Sequence, residues 1–317
     1  MSYERTDIYA FMSTAGSTGK TTSLVTLAIM LAQRGFTVRV VDLDPQANAS
    51  TWLGYPEHSG LSTADLWDGK STIREVEQPA RLVKNYNEDD EPVYEPIENL
   101  TLVPADGDKL EVVLNMIPAT LGGATFLREA FEADSGNDQP DIVLIDAPGQ
   151  RGSAFHEAAA LATSVAEVNK RKGAYGVITV TKAAGKEAEG LVPLEKKLGK
   201  VRKAYRVDVW LLSVIPSQVP SRAETGERRY RFGVAGGYAE MLADLESAYD
   251  ARLLGGVTPP IRSATVVDTA YGAFRPLPFF GAQARDINGD YVESLAYQQA
   301  RGLYVGGRPD LVSASRS

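Results

Sequence analysis

The stretch of sequence that decides the fold is Asp7 to Thr22, which reads DIYAFMSTAGSTGKTT. The apolar run Asp7 to Met12 predicts a β-strand, and apolar residues from Lys20 to Arg34 recur with helical spacing up to Gly35. A loop of small residues joins the two. Such a loop can bind phosphate, because its backbone amides and the helix N-terminus offer N–H groups to the phosphate oxygens. The stretch therefore predicts a phosphate-binding loop within an α/β fold.

The loop fits the nucleotide-binding pattern G-x-x-x-x-G-K-[ST] except at its first glycine, where Thr14 stands. Lys20 is expected to reach the β- and γ-phosphates, and Thr21 to place its hydroxyl on Mg²⁺. The alternative is a Gly/Ser turn with a lysine at a helix start, but the position between a strand and a helix favours nucleotide binding. The residues predicted to bind nucleotide are Gly16, Ser17, Thr18, Gly19, Lys20, Thr21 and Thr22.

The rest of the chain continues the alternation of short apolar runs and helical stretches, which predicts an α/β fold with a mostly parallel, twisted sheet and helices on both faces. Further strands are expected at Thr37 to Val41, Leu100 to Val103, Ile142 to Ile145, Val177 to Val180 and Val209 to Val214. Helices are expected at Lys109 to Met116, Leu191 to Tyr205 and Tyr238 to Ala251. No shift in composition marks a boundary, so we expect a single domain over residues 1–317.

One segment breaks this alternation. Asn85 to Glu98 is acidic and contains Pro92 and Pro96, so we expect an exposed excursion between elements at about 85–98.

Composition excludes several classes of function. The chain has no cysteine and two histidines, which excludes disulfides, thiolate catalysis, cysteine-bound metal clusters and a histidine-rich metal site. With 33 basic and 41 acidic residues the net charge is −8, so any nucleic-acid binding requires a local basic patch. The sequence shows no signal peptide and no apolar run of about 20 residues, which predicts a cytoplasmic protein without membrane association.

Three carboxylates follow predicted strands. Asp42 and Asp44 lie in VVDLDPQ, with their side chains on one side of an extended chain, and Asp146 ends the run DIVLID. An acid at the end of a buried strand is typical of an aspartate that holds Mg²⁺ beside a phosphate loop. Each could instead be a turn or cap residue. Ligands of parallel sheets gather at the carboxyl ends of the strands, and this favours the shared magnesium and phosphate chemistry.

Taken together, these motifs resemble ParA-type partition ATPases, of the deviant Walker A class that also includes MinD-like proteins. The D-L-D-P-Q-x-N-A motif is the most specific part of the likeness, and segments from Val219 and Ile261 match more loosely. The matching segments are AGSTGKTTS (Ala15 to Ser23), VVDLDPQANAS (Val40 to Ser50), NLTLVPA (Asn99 to Ala105) and PDIVLIDAPG (Pro140 to Gly149).

The resemblance implies a P-loop fold that hydrolyses ATP with Mg²⁺. Lys20, Asp44 and Asp146 would be the catalytic residues, with Asp44 positioning or activating the attacking water and Asp146 in the Walker B role. Thr21, Asp42 and Asp146 would serve the Mg²⁺ region. Gln46 and Asn48 would lie in the segment that senses the γ-phosphate. Pro216 and its neighbours would form the loop that contacts adenine.

Two residues depart from the family's loop pattern. Ser17 replaces a glycine, and Ala15 replaces the signature lysine that in the family reaches across an ATP-bridged dimer. Without that lysine, the contact and its rate enhancement would require another cation. Arg151 and Lys182 are the candidates to supply a substitute cation.

Two basic clusters stand out on this acidic chain. One lies between Lys196 and Arg206, where a solvated helix face is an equally good interpretation, and the other comprises Arg222, Arg228, Arg229 and Arg231. The resemblance implies that an ATP-bound homodimer on the nucleoid binds non-specific DNA through basic residues of the C-terminal half. It also implies a ParB-like centromere-binding partner that stimulates hydrolysis. The alternatives are a positioning ATPase for a protein cargo, or an ATP-dependent dimerisation scaffold that hydrolyses weakly.

Overall fold

The computed structural model describes residues 6–13, 15–134, 139–149, 153–165, 173–182, 190–222 and 229–306, and a central eight-stranded sheet organises them. The strand order is β10-β7-β6-β1-β5-β2-β4-β3. Its strands are β1 (Asp7–Met12), β2 (Val38–Asp42), β3 (Gln78–Tyr86), β4 (Pro92–Val103), β5 (Ile142–Asp146), β6 (Tyr175–Lys182), β7 (Leu211–Ser217) and β10 (Gly256–Val257). A separate pair is formed by β8 (Ser221–Arg222) and β9 (Gly233–Val234).

The large sheet is parallel except at one edge, where β3 runs antiparallel to β4. Strand β1 lies at the centre, with Ala10 opposite Ile145 of β5 on one side and Val177 of β6 on the other. The carboxyl ends of β1, β2 and β5 are therefore adjacent, and Asp42 pairs in register with Asp146. The predicted mostly parallel α/β fold is confirmed.

Helices cover both faces of the sheet, because side chains of each strand alternate between two cores. Ile8, Ala10 and Met12 pack into one core, and Tyr9 and Phe11 pack into the other. The first core includes α3 (Ile73–Val76), α4 (Gly107–Met116), α5 (Phe126–Ala133), α6 (Phe155–Thr163), α7 (Leu191–Tyr205) and α8 (Tyr238–Tyr249). The second includes α1 (Lys20–Gln33), α2 (Asn48–Trp52), α9 (Val266–Gly272) and α10 (Arg285–Ala300). The predicted helices coincide with α1, α4, α7 and α8.

The acidic segment expected as an excursion between elements is instead part of a β-hairpin. Strands β3 and β4 continue the sheet and turn at residues 87–91, and the turn is exposed as expected. Proline is tolerated here because β4 pairs with β2 only from Leu100 to Val103. Pro92 and Pro96 lie in the half of β4 that pairs with β3 alone, where a missing N–H on the open side costs no ladder bond.

No helix in the described ranges is long and apolar enough to cross a membrane.

Candidate active site

The phosphate-loop candidate lies between β1 and α1, at the floor of a pocket of about 600 Å³. Its backbone takes the left-handed conformation at Ser17 (φ 56°) and Gly19 (φ 83°). Glycine accepts this conformation more readily than serine does. The backbone at Ser17 is therefore one that glycine, the residue of the ParA-type pattern at this position, would adopt at lower cost.

The loop is held from behind by the end of β7. Gln218 Nε2 donates to the Ser17 carbonyl at 2.7 Å, and Ser217 Oγ donates to the Thr18 carbonyl. On its other side Gly149 lies so close that a Cβ there would be 3.3 Å from the Gly16 Cα. The two hydrogen bonds fix the loop through its carbonyl groups and not through its amides, which are the groups that would bind phosphate.

Lys20, Thr21 and Asp146 form a buried polar group at the start of α1. The Lys20 ammonium donates to Asp146 Oδ1, and Thr21 Oγ1 donates to Asp146 Oδ2 at 2.7 Å. Burial raises the pKa of the Asp146 carboxyl, and the Lys20 charge opposes that shift. The ion pair with Lys20 offsets part of the cost of burying a charge on this carboxyl group.

The two aspartates of the Asp42 to Asn48 motif have different environments. Asp42 is fully buried and accepts three hydrogen bonds, from Asp44 N at 3.1 Å and from Ser50 N and Oγ at 2.8 Å each. Burial, with the nearby charges of Asp146 and Asp44, raises the pKa of Asp42 to about 7. Asp44 lines the pocket and accepts from Gln46 N at 3.1 Å. Asp42 thus fixes the backbone, and Asp44 faces the ligand space.

The wall opposite the loop is built from two distant parts of the chain. Its residues are Asn48 and Trp52 of α2 and Val267, Asp268 and Tyr271 of α9. The Tyr271 hydroxyl donates to Asn48 Oδ1 at 2.7 Å, and its ring centroid is 5.5 Å from that of Trp52. Sequence reasoning missed the residues of α9, for which the loose resemblance of the segment from Ile261 was the only signal.

Comparison with known proteins identifies the family. The family model described as "AAA domain" matches residues 6–209, about two thirds of the chain. The chromosome-partitioning ATPase Soj of Thermus thermophilus is 29% identical over 213 residues, which cover 67% of this chain and 70% of that protein. The chain is a ParA/MinD-type P-loop ATPase.

Two further comparisons give one protein of similar sequence and one solved structure of similar fold. Maintenance of carboxysome distribution protein A of Synechococcus elongatus is 33% identical over 141 residues, 44% of this chain and 48% of that protein. The ATP complex of McdA from Cyanothece matches with a TM-score of 0.70 at 18% identity, over 94% of this chain and 97% of that one.

The residues present in this ATPase fit Mg²⁺ together with a nucleotide. A hydroxyl (Thr21) bonded to a carboxylate (Asp146) is the hard oxygen donor set that Mg²⁺ takes, with substrate phosphates completing its shell. Within the described ranges no group of three or more His, Asp or Glu side chains could hold a metal by itself. Thr21 and Asp146 would hold the ion, which when bound neutralises developing charge on the phosphates.

The structure brings most of the predicted site together. Gly16 to Thr22 and Asp44 line the pocket, and Asp42 and Asp146 lie directly behind it. Pro216 is buried within β7, next to Ser217, and is not among the described residues that line the pocket, so its predicted contact with adenine stays a prediction. Thr14 and Arg151 lie outside the described residues.

Of the predicted DNA-binding arginines that the structure describes, none is among the residues lining this pocket, and two have acidic partners. Arg229 forms an ion pair with Glu246, and Arg231 Nε is 3.6 Å from Asp290 Oδ1. Arg222 is exposed on β8. Arg228 lies outside the described residues.

Proposed function

We propose that this ATPase drives the partition of plasmid or chromosomal DNA in the cytoplasm. In this proposal an ATP-bound homodimer binds non-specific DNA on the nucleoid, and a ParB-like centromere-binding protein stimulates hydrolysis. The observation that carries the proposal is the motif from Asp42 to Asn48 beside the phosphate loop, since Asp44 faces the ligand space while Asp42 is buried behind it. The similarity to Soj, a protein named as a partitioning ATPase, supports the same interpretation.

The site's own residues account for hydrolysis of ATP in this proposal. Lys20 would leave Asp146 for the β- and γ-phosphates, to which a lysine adds a point charge. Asp44 would orient the attacking water, because the residue lines the pocket and its backbone is fixed by two hydrogen bonds, one from its N–H to Asp42 Oδ1 and one from Ala47 N to its carbonyl. The loop amides would stabilise charge on the phosphate oxygens.

A specific observation favours each of two alternatives. The similarity to the carboxysome distribution protein favours positioning of a protein cargo. Ala15 favours a scaffold that dimerises with ATP and hydrolyses it weakly, because a methyl group cannot replace the family's lysine at the partner's phosphates. Lys182, half-buried at the end of β6, remains a candidate substitute.

Either of the two basic clusters could be the surface that binds DNA. They differ in how many of their basic side chains are already paired with acidic residues. Arg229 and Arg231 share their charge with acids, whereas no ion pair joins Lys196 or Lys200 of α7 to another residue in the described ranges. We retain Arg222, Arg228, Arg229 and Arg231 as the proposed contacts and treat α7 as the competing surface.

The deciding experiment measures ATP hydrolysis with Mg²⁺ by the protein alone, with non-specific duplex DNA, and with DNA plus the product of the neighbouring gene. Partition predicts stimulation by that product and sequence-specific DNA binding by it. Stimulation by a product without specific DNA binding would indicate cargo positioning. Hydrolysis that stays at the level of a Lys20→Ala control under all conditions, with dimers formed on ATP, would indicate the scaffold.

A further inference from the structure

The Asp44 to Asn48 segment is short and holds a strained residue. Ala47 takes the left-handed conformation (φ 50°), which costs a non-glycine residue free energy. The segment's own hydrogen bonds are few, from Gln46 N to Asp44 Oδ1 at 3.1 Å and from Ala47 N to the Asp44 carbonyl at 2.8 Å. Helix α2, which follows, has five residues and cannot be stable by itself. Contacts from other elements must therefore hold the segment in place.

Helix α9 supplies such a contact through Tyr271, which lies 223 positions after Asn48 in the chain. The Tyr271 hydroxyl donates to Asn48 Oδ1 at 2.7 Å, at the first residue of α2. The Tyr271 ring packs beside Trp52, the last residue of α2, at 5.5 Å between centroids. One side chain therefore contacts both ends of α2.

We propose that Tyr271 is a positioning residue for hydrolysis: its hydroxyl holds Asn48, and through it the segment that carries Asp44, in the geometry required for attack on ATP. The inference rests on the proposed role of Asp44. Tyr271 lies beyond residues 6–209, the part matched by the family model, so the C-terminal part of the chain would set the hydrolysis rate.

The geometry assigns the two halves of this side chain to different tasks. The ring packs beside Trp52 of α2, whereas the hydroxyl lies at the pocket wall, where it donates to Asn48 Oδ1 and is also within side-chain hydrogen-bonding reach of Thr51. The phosphate loop is held by Ser217, Gln218 and the Lys20 pair, none of which touches Tyr271 in the structure. Loss of the hydroxyl should therefore affect the water-attack geometry more than the affinity for ATP.

The test is Tyr271→Phe, with kcat and the Kd for ATP measured on the full chain. We expect kcat to fall about three- to ten-fold, the range for the loss of the hydrogen bond to Asn48, with Kd changed less than about two-fold. Tyr55→Phe is the matched control, because its hydroxyl donates to the Pro79 carbonyl at 2.8 Å and the residue does not line the pocket. The control should keep both constants.

Asn48→Ala and the double variant Tyr271→Phe/Asn48→Ala test whether Tyr271 acts through Asn48. If Tyr271 acts through Asn48, the double variant loses no more in kcat than Asn48→Ala alone. Additive losses, an unchanged kcat in Tyr271→Phe, or equal changes in kcat and Kd would overturn the proposal. Asp44→Ala is measured in parallel. If it hydrolyses ATP normally, the proposed chemistry fails; if it is inactive while Tyr271→Phe is normal, only the positioning role fails.

Discussion

Lys20 is expected to serve both the stability of the protein and its chemistry. In the structure its ammonium is bonded to Asp146, and both side chains are buried, at 5% and 0% exposure. In the proposed mechanism the same ammonium faces the phosphates of bound ATP. Lys20 would therefore leave the Asp146 carboxylate for the ATP phosphates. Before ATP binds, the same lysine stabilises the fold by pairing with Asp146.

Lys20→Ala should abolish ATP binding and also lower the free energy of unfolding by about 3 kcal/mol or more, because it leaves a buried carboxylate unpaired. Nucleotide titration and urea unfolding measure the two effects. The double variant Lys20→Ala/Asp146→Asn should recover much of the stability without recovering ATP binding. Undiminished affinity in Lys20→Ala would contradict the assignment of the phosphate loop.

Asp44→Ala should keep ATP binding and lose hydrolysis, trapping the ATP-bound dimer, because only the water-positioning carboxylate is removed. Asp44→Asn is the matched control for structure, since its amide oxygen can still accept from Gln46 N. Single-turnover hydrolysis and size-exclusion chromatography with ATP measure the outcome. Hydrolysis at the wild-type rate would show that another group orients the water.

At the scale of elements, the predictions held where a local pattern decides the structure. Apolar residues are continuous in β1 and β5 and recur with helical spacing in α1. Their pattern alone therefore indicates which segments are strands and which is a helix. The hairpin of β3 and β4 was missed because Pro92 and Pro96 suggest a loop until the open side of β4 is known. The bond between Tyr271 and Asn48 was missed because nothing local links positions 223 apart.

His156 of α6 is bonded to the segment that follows β5. Its Nε2 donates to the Pro148 carbonyl at 2.6 Å. Burial, with the charges of Lys197 and Lys20, lowers the pKa of His156 from 6.5 to about 4. The folded protein therefore keeps this ring neutral where the unfolded chain takes up a proton. Above pH 6.5 both states are neutral, and the contribution to stability is unaffected by pH.

As the pH falls from 6.5 towards 4, His156 should lower the free energy of unfolding by up to about 1.4 kcal/mol per pH unit. His156→Gln keeps an N–H donor but does not titrate, so its unfolding free energy should fall less steeply over this range. Urea unfolding at intervals between about pH 4.5 and 7.5 measures the difference. Parallel profiles for the two proteins would show that His156 is protonated as easily in the folded state as in the unfolded one.

At the scale of the whole molecule, the charge distribution sets the conditions for DNA binding. The net charge of −8 repels a phosphate backbone, so a local basic surface must overcome the rest of the chain. Two of the proposed arginines share part of their charge with Glu246 and Asp290. A dimer doubles the basic surface, which is why we expect binding to require ATP.

Replacing Arg228, Arg229 and Arg231 together with alanine should abolish ATP-dependent DNA binding and leave dimerisation intact. Partial replacement should weaken binding equally across sequences and reduce the slope of log affinity against log salt by about 0.9 for each phosphate that is no longer neutralised. Fluorescence anisotropy at several salt concentrations measures both quantities. The matched control removes three arginines that are ion-paired elsewhere in the structure, so it changes net charge equally: Arg74, Arg128 and Arg252.

The two triple variants separate local phosphate binding from a general charge effect. If the arginines of the 228–231 segment touch phosphates, only their removal abolishes binding, and only their partial replacement reduces the salt slope, because counterions are released only where phosphates are neutralised. Equal weakening in both variants would mean that net charge alone governs binding. An unchanged slope in the first variant would move the DNA surface to α7, where Lys196→Ala/Lys200→Ala should then reduce the slope, since those lysines have no ion pair in the described ranges that competes with phosphate.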